Sequence, residues 1–296
     1  MRHTAATGRD EPCMVAPRRA VLVLSGLALL PCAPARAGAE PAEAPALSDE
    51  AAGDGARLVH VLVPLCHGAQ VDCGGRRAGD PLDLEQNLYW GAIFGHRRFA
   101  LRAASRFELV ERSVLDAPRL ERVVVRLRRE RGAPESAPEL IVVLDAWRGD
   151  RIDEALTAFF DEAARGAKLD FVDAGVAREL QIDLVGFAGH NRMLDGTAAG
   201  AHVARPGDRP TPSFVLACHS RATFEAPLAL RGSRPLVLTQ ALMAPEGYLV
   251  EALALGLAAR ESRRALRHRL GATYARWQSI DEGTGRAIFA PIGESR

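Results

Sequence analysis

Two short, almost uninterrupted apolar runs constrain the fold of this chain more than any other feature. The first, from Leu58 to Leu65, has the sequence Leu-Val-His-Val-Leu-Val-Pro-Leu, and the second, from Leu140 to Leu144, has the sequence Leu-Ile-Val-Val-Leu. Such runs, without alternation of polar and apolar residues, are typical of strands buried on both faces in parallel sheets. They predict an α/β fold with a mainly parallel sheet and helices on both faces.

The other segments alternate between strand-like and helix-like patterns. Predicted strands cover 107–110, 123–127, 182–188, 213–217 and 235–239, and predicted helices cover 82–104, 153–164 and 245–278, the last with a break. The Gly-rich stretch 68–80 and the charged stretch 128–138 are predicted loops. Asp145, directly after the second apolar run, is predicted to be a turn or helix-capping residue.

The first 37 residues have the pattern of an export signal. Arg18 and Arg19 precede the apolar run 20–30, and the A-x-A site at 35–37 predicts cleavage after Ala37. Met14 is an alternative start. The apolar run is about half of the roughly 20 residues that span a bilayer, so no integral membrane span is expected. We therefore expect a periplasmic or secreted protein.

The mature chain divides by composition into two parts. Residues 38–56 are rich in Ala, Pro, Glu and Gly and predict a flexible leader. Residues 57–296 then form a single α/β domain, whose oligomeric state and substrate-binding residues the sequence leaves open.

Charge and motifs exclude several classes of function. With 38 basic and 37 acidic side chains, nothing favours a nucleic-acid partner. The chain has no G-x-S-x-G motif, and its single lysine, Lys168, follows no Gly-rich run. Serine hydrolases with a nucleophile elbow and P-loop nucleotide hydrolases are therefore disfavoured.

Loss of the signal leaves three cysteines for an oxidising compartment, namely Cys66, Cys73 and Cys218. Cys66 and Cys73 flank a short Gly-containing loop, and we predict a disulfide between them. Cys218 then remains a free thiol. It is either a reactive group or a small apolar residue that fills a buried strand.

Two predicted strands end in residues that carry chemistry. The strand at 182–188 leads to His190, and the strand at 213–217 leads to Cys218. If these strands are parallel neighbours, about 4.8 Å apart, the two side chains emerge side by side at one edge of the sheet. A thiolate is a nucleophile that a nearby imidazolium stabilises, and the backbone N–H groups of Asn191 and Cys218 are placed to hold an oxyanion.

The stretches 183–190, Asp-Leu-Val-Gly-Phe-Ala-Gly-His, and 214–218, Phe-Val-Leu-Ala-Cys, resemble the caspase–hemoglobinase (clan CD) fold of cysteine peptidases. In that fold one hydrophobic strand ends in the catalytic His and the next ends in Ala-Cys or a close relative. The resemblance implies a caspase-like three-layer sandwich and hydrolysis of a peptide or protein substrate without a cofactor. His190 would be the general acid/base and Cys218 the nucleophile. This chain has Asn191 where many members have Gly, and Leu216 where caspases and legumains commonly have a polar residue.

Two alternatives to a peptidase stay open at this stage. One is a zinc or copper site, because Cys and His residues follow several predicted strands; its candidate ligands are Cys66, His67, His190, Cys218 and His219. The other is a non-catalytic scaffold or binding protein that keeps the sheet but performs no chemistry.

Overall fold

The computed structural model of the protein describes residues 44–47, 55–129, 138–196 and 207–292. All of them belong to one compact unit, Glu43–Arg296. The predicted export signal, residues 1–37, lies outside the described residues. Within the described ranges, no helix combines the length and the apolarity needed to cross a membrane.

The protein is an α/β fold built on one mixed sheet. The described ranges contain eight strands, namely β1 Ala56–Pro64, β2 Phe107–Val114, β3 Arg119–Leu127, β4 Glu139–Trp147, β5 Lys168–Asp173, β6 Val176–Ala188, β7 Ser213–Leu216 and β8 Pro235–Val237. Their order is β2-β3-β4-β1-β6-β7-β8, with β5 paired to β6. The five strands β4, β1, β6, β7 and β8 are parallel, whereas β2, β3 and β5 pair antiparallel with their neighbours. The mainly parallel sheet is thus confirmed, with an antiparallel edge.

Six α-helices accompany the sheet in the described ranges. They are α1 His96–Ala100, α2 Ile152–Arg165, α3 Ser220–Leu230, α4 Gly247–Ala258, α5 Arg263–Gln278 and α6 Glu282–Ile288. The predicted helix 153–164 is confirmed as α2. The predicted break in 245–278 is also confirmed, because α4 and α5 are separate helices and Arg260 between them has φ of +55°.

The predicted helix at 82–104 is wrong, since only the short α1 is helical there and the preceding residues form turns. The Asn87 side chain accepts from the backbone N–H of Cys66 at 2.9 Å and donates to its carbonyl at 2.8 Å. Asn side chains that bond to the backbone in this way compete with helical hydrogen bonds. Gly91 passes so close to Glu85 that a Cβ would lie 2.3 Å from its carbonyl carbon. The apolar spacing in this segment therefore reflects packing of a compact loop.

Alternate residues of β1 contribute to two hydrophobic clusters. Val59, Val61 and Val63 belong to the cluster that contains apolar residues of α4 and α5. Leu58 and Leu62 belong to the cluster that contains the apolar residues of α2 and α3. The near-continuous apolar run of β1 is explained by this burial on both sides.

Residues 44–47 depart from the predicted flexible leader. Pro45 forms an antiparallel bridge with Ser262, and the N–H of Ala46 donates to the carbonyl of Glu261 at 2.8 Å. Ala46 and Leu47 are buried in the cluster that includes α4. The leader prediction is therefore wrong for these four residues. The hydrophobic cluster against which Ala46 and Leu47 pack lies elsewhere in the chain, so the local composition gives no sign of it.

Candidate active site

The strands that lead to His190 and Cys218 are direct parallel neighbours. Ala188, the last residue of β6, pairs with Leu216, the last residue of β7. His190 and Cys218 each follow two residues later, so they leave the same edge of the sheet at the same register. Strand spacing in sheets is about 4.8 Å, which places the two chain segments in adjacent positions.

Cys218 is a free, partly exposed thiol just beyond the end of β7. Its Sγ lies 3.4 Å from the carbonyl oxygen of Met243 and 3.4 Å from the amide nitrogen of the same residue. Burial and, secondarily, the neighbouring Cys218 raise the pKa of Tyr89. The alternative in which Cys218 fills a buried strand is wrong, because the residue lies outside the strand and its side chain is not fully covered.

A helix begins directly after the thiol. Helix α3 starts at Ser220, and His219 at its N-cap has φ of +49°. The N-terminus of a helix favours a nearby negative charge, and thiolates at such positions are stabilised. This turn therefore places Cys218 two residues before the first residue of α3.

His190 is held by an acidic side chain rather than by the thiol. Its Nε2 lies 2.7 Å from Oδ2 of Asp195, and its side chain is only 15% exposed. Among the described residues, no hydrogen bond connects His190 with Cys218; the sulfur has its contacts with Met243. The two side chains thus lie at adjacent strand ends without direct bonding.

Asn191 links the two strand ends. It is completely buried. Its Nδ2 donates to the carbonyl oxygen of Cys218 at 2.6 Å and to Oγ1 of Thr223 on α3 at 3.0 Å. The role predicted for Asn191 from the sequence involves only its backbone N–H, and the role of its side chain was not predicted. The one available signal for it is that a polar residue directly follows a buried strand and its His.

The backbone amides of Asn191 and Cys218 are the two groups predicted to hold an oxyanion. Within the described part of the chain, neither the N–H of Asn191 nor that of Cys218 donates to a protein carbonyl. The regular ladder between these segments stops at the bond from the N–H of Gly189 to the carbonyl of Leu216, 3.1 Å long. Asn191, which carries the first of these donors, is completely buried, whereas Cys218 is partly exposed.

The structure does not support the metal alternative. Cys66 and Cys73 are joined by a disulfide, which is the pairing predicted from the sequence and which removes Cys66 as a ligand. Nδ1 of His219 lies 3.1 Å from the carbonyl oxygen of Gln240. No group of three or more His, Cys, Asp or Glu side chains suited to a metal ion occurs among residues 44–47, 55–129, 138–196 and 207–292.

A buried charge cluster lies beneath α2, on a different part of the sheet. Asp145 is completely buried and accepts two hydrogen bonds of 2.7 Å from Arg122. His60 lies between two acids, with Nε2 3.2 Å from Asp145 and Nδ1 2.7 Å from Glu162. The prediction that Asp145 is a turn or capping residue is wrong, because β4 continues to Trp147 and Asp145 lies within it.

This cluster makes stability depend on pH through His60. Burial lowers the pKa of His60, but the charge of Glu162 and the hydrogen bonds to Asp145 and Glu162 outweigh it and raise the pKa from 6.5 to about 9. Since the folded pKa lies above the unfolded value, the stabilisation is fully present below pH 6.5 and is lost as the pH rises through 9. We expect the free energy of unfolding to fall by on the order of 3 kcal/mol over this range.

Urea denaturation at pH 6 to 10 measures this effect, with His60→Gln as the matched variant. The difference between wild type and variant isolates His60 from other groups that titrate in the same range. If the free energy of unfolding changes equally with pH in both proteins, the pH dependence does not come from His60.

Comparison with known proteins gives no match to any family model, curated protein or solved structure. The fold and the site therefore define only the class: an α/β protein with an imidazole and a free thiol at the ends of adjacent parallel strands.

Proposed function

We propose that this protein is an exported cysteine peptidase of the caspase–hemoglobinase type, which hydrolyses peptide bonds with His190 and Cys218. The observation that carries the proposal is the register of β6 and β7, in which both residues follow the terminal pair Ala188 and Leu216 by two positions. The two sequence stretches that resemble caspase–hemoglobinase peptidases thus end at the same edge of the sheet.

Strand order gives further support. The strand that leads to His190 lies between β1 and the strand that leads to Cys218, as expected if β1 is the first strand of a caspase-like sandwich. The two hydrophobic clusters, one with α2 and α3 and one with α4 and α5, agree with the three-layer arrangement that is part of this proposal.

The chemistry follows from the groups at this edge. His190 takes the thiol proton, and the Cys218 thiolate attacks the peptide carbonyl carbon. The N–H groups of Asn191 and Cys218 hold the resulting oxyanion. The imidazolium then gives its proton to the leaving amine, and water hydrolyses the thioester to release the acid and restore the thiol. No cofactor takes part in these steps.

The loop after β1 is the proposed substrate-binding region. A cavity of about 560 Å³ lies within this loop, bordered by His67, Asp72, Arg76 and Asp80 among others. The disulfide between Cys66 and Cys73 closes the same loop and supports an oxidising compartment such as the periplasm.

A non-catalytic scaffold is the second candidate. The observation that favours it is that each side chain of the pair has another partner, Asp195 for His190 and the Met243 backbone for Cys218. The two candidates differ in the reactivity of the thiol.

Covalent labelling separates them. The mature chain is incubated with a library of peptidyl acyloxymethyl ketones, and adducts are located by mass spectrometry in wild type, Cys218→Ala, His190→Gln and His219→Gln. We expect a Cys218 adduct that forms about 100-fold faster in wild type than in His190→Gln, because general acid–base assistance contributes at least this factor. His219→Gln, which removes the neighbouring imidazole, is expected to label at the wild-type rate. Labelling no faster than that of an exposed peptide thiol would overturn the proposal and favour the scaffold.

A further inference from the structure

We propose that Asp195 is a positioning residue that orients the His190 imidazole toward Cys218. This inference rests on the proposed function and adds a third group to it. Nε2 of His190 and Oδ2 of Asp195 are 2.7 Å apart, a distance typical of a charge-assisted hydrogen bond. With Nε2 occupied, Nδ1 is the ring nitrogen left to face the thiol.

The backbone between the two residues places the carboxylate at a defined position. The short 3-10 helix Arg192–Asp195 begins two residues after His190. Its first turn is closed by bonds of 3.0 Å from the N–H of Arg192 to the carbonyl of His190 and from the N–H of Leu194 to that of Asn191. The Asn191 side chain donates to the backbone carbonyl of Cys218, so the segment that carries the acid and the imidazole is joined to the segment that carries the thiol.

Asp195 is ionised in this environment. Partial burial raises its pKa, but the hydrogen bonds from His190 and Arg192 outweigh this and hold the pKa of Asp195 below its usual value. A carboxylate accepts a hydrogen bond from the Nε2–H group, and this tautomer leaves Nδ1 unprotonated as an acceptor. When Nδ1 takes the thiol proton, the carboxylate balances the imidazolium charge without being protonated itself.

A purely structural explanation is also available and has a different signature. Oδ2 of Asp195 lies 3.2 Å from Nη1 of Arg192, and Nε of Arg192 lies 3.5 Å from Oδ1 of Asp153 on α2. If Asp195 served only to anchor Arg192 and its loop, removing Arg192 would have the same effect as removing the carboxylate.

The test is the rate of Cys218 alkylation by iodoacetamide between pH 5 and 9, which needs no knowledge of the substrate. The variants are Asp195→Asn, Asp195→Glu, Arg192→Gln, His190→Gln and the double variant His190→Gln/Asp195→Asn. We expect Asp195→Asn to slow alkylation near pH 6 to 7 about 10-fold, a part of the effect of general-base assistance. Asp195→Glu should restore most of the rate, and Arg192→Gln should stay within about 2-fold of wild type, because its ion pairs with Asp195 and Asp153 are both partly exposed.

The double variant shows whether Asp195 acts through His190. We expect it to alkylate at the rate of His190→Gln alone, because the carboxylate then has no imidazole to orient. Equal effects of Asp195→Asn and Arg192→Gln, or an undiminished effect of Asp195→Asn in the His190→Gln background, would overturn the inference. If His190→Gln alters the pH profile and Asp195→Asn does not, only the role of Asp195 fails. If His190→Gln itself leaves the profile unchanged, the proposed function fails.

Discussion

Asp145→Asn is expected to lower the free energy of unfolding by about 3 to 5 kcal/mol, the usual cost of removing one partner from a buried ion pair. Asp145 is completely buried and neutralises Arg122, which is 7% exposed. The amide keeps the size of the side chain but leaves the guanidinium and the charged His60 without their shared anion. Glu162, on α2, contacts His60 through Nδ1 and cannot replace both bonds to Arg122.

Asp150→Asn is the matched control, because Asp150 forms an analogous pair with Arg148 in which both side chains are about one-third exposed. Such pairs contribute roughly 0 to 1 kcal/mol. Chemical denaturation of both variants at pH 7 measures the difference. A loss below 1 kcal/mol for Asp145→Asn would show that the cluster does not stabilise the fold through its charges.

Phe187→Ala is expected to cost about 3 to 5 kcal/mol, the range for truncating a buried aromatic side chain. Phe187 lies on β6, three residues before His190, and is completely buried. The centroid of its ring lies 5.9 Å from that of Phe159 on α2 and 6.0 Å from that of Phe224 on α3. The substitution opens a cavity where the two helices meet the strand that leads to the site.

Leu230→Ala serves as the comparison, since it removes an apolar side chain that is 65% exposed at the end of α3. We expect a change within about 0.5 kcal/mol, as for most surface positions. The same denaturation experiment measures both variants, and the Cys218 labelling rate of Phe187→Ala reports whether the site tolerates the cavity. Comparable losses for the two substitutions would contradict the packing described for Phe187.

The strands were predictable from the sequence to different degrees. Short, almost uninterrupted apolar runs identified β1 and β4, because a strand that is buried on both faces can be recognised without knowing its partner. β5 was missed, since its sequence Lys-Leu-Asp-Phe-Val-Asp is half polar and it is a strand only through its pairing with β6. The segment 82–104 had a helical spacing of apolar residues, but the Asn87 bonds to Cys66 come from another part of the chain.

The candidate site shows the same division. His190 and Cys218 were identifiable because each follows a buried strand, and the rule that functional groups gather at strand ends applies to the sequence directly. Asp195 and the Asn191 side chain were not identified, since their roles depend on hydrogen bonds whose geometry a pattern of residue types does not contain. The buried cluster around Asp145 was not predicted for a related reason, since its acidic and basic side chains come from four separate segments of the chain.

Three features could be derived from local properties such as apolar periodicity and residue type. They are the α/β class, the disulfide between Cys66 and Cys73, and the positions of His190 and Cys218 after two buried strands. Three other features became apparent in the folded protein alone. β6 and β7 are parallel neighbours, His190 is hydrogen-bonded to Asp195, and His60, Asp145 and Arg122 share one buried cluster. Strand order and side-chain contacts are set by the balance of burial and hydrogen bonding over the whole sheet, which no single segment specifies.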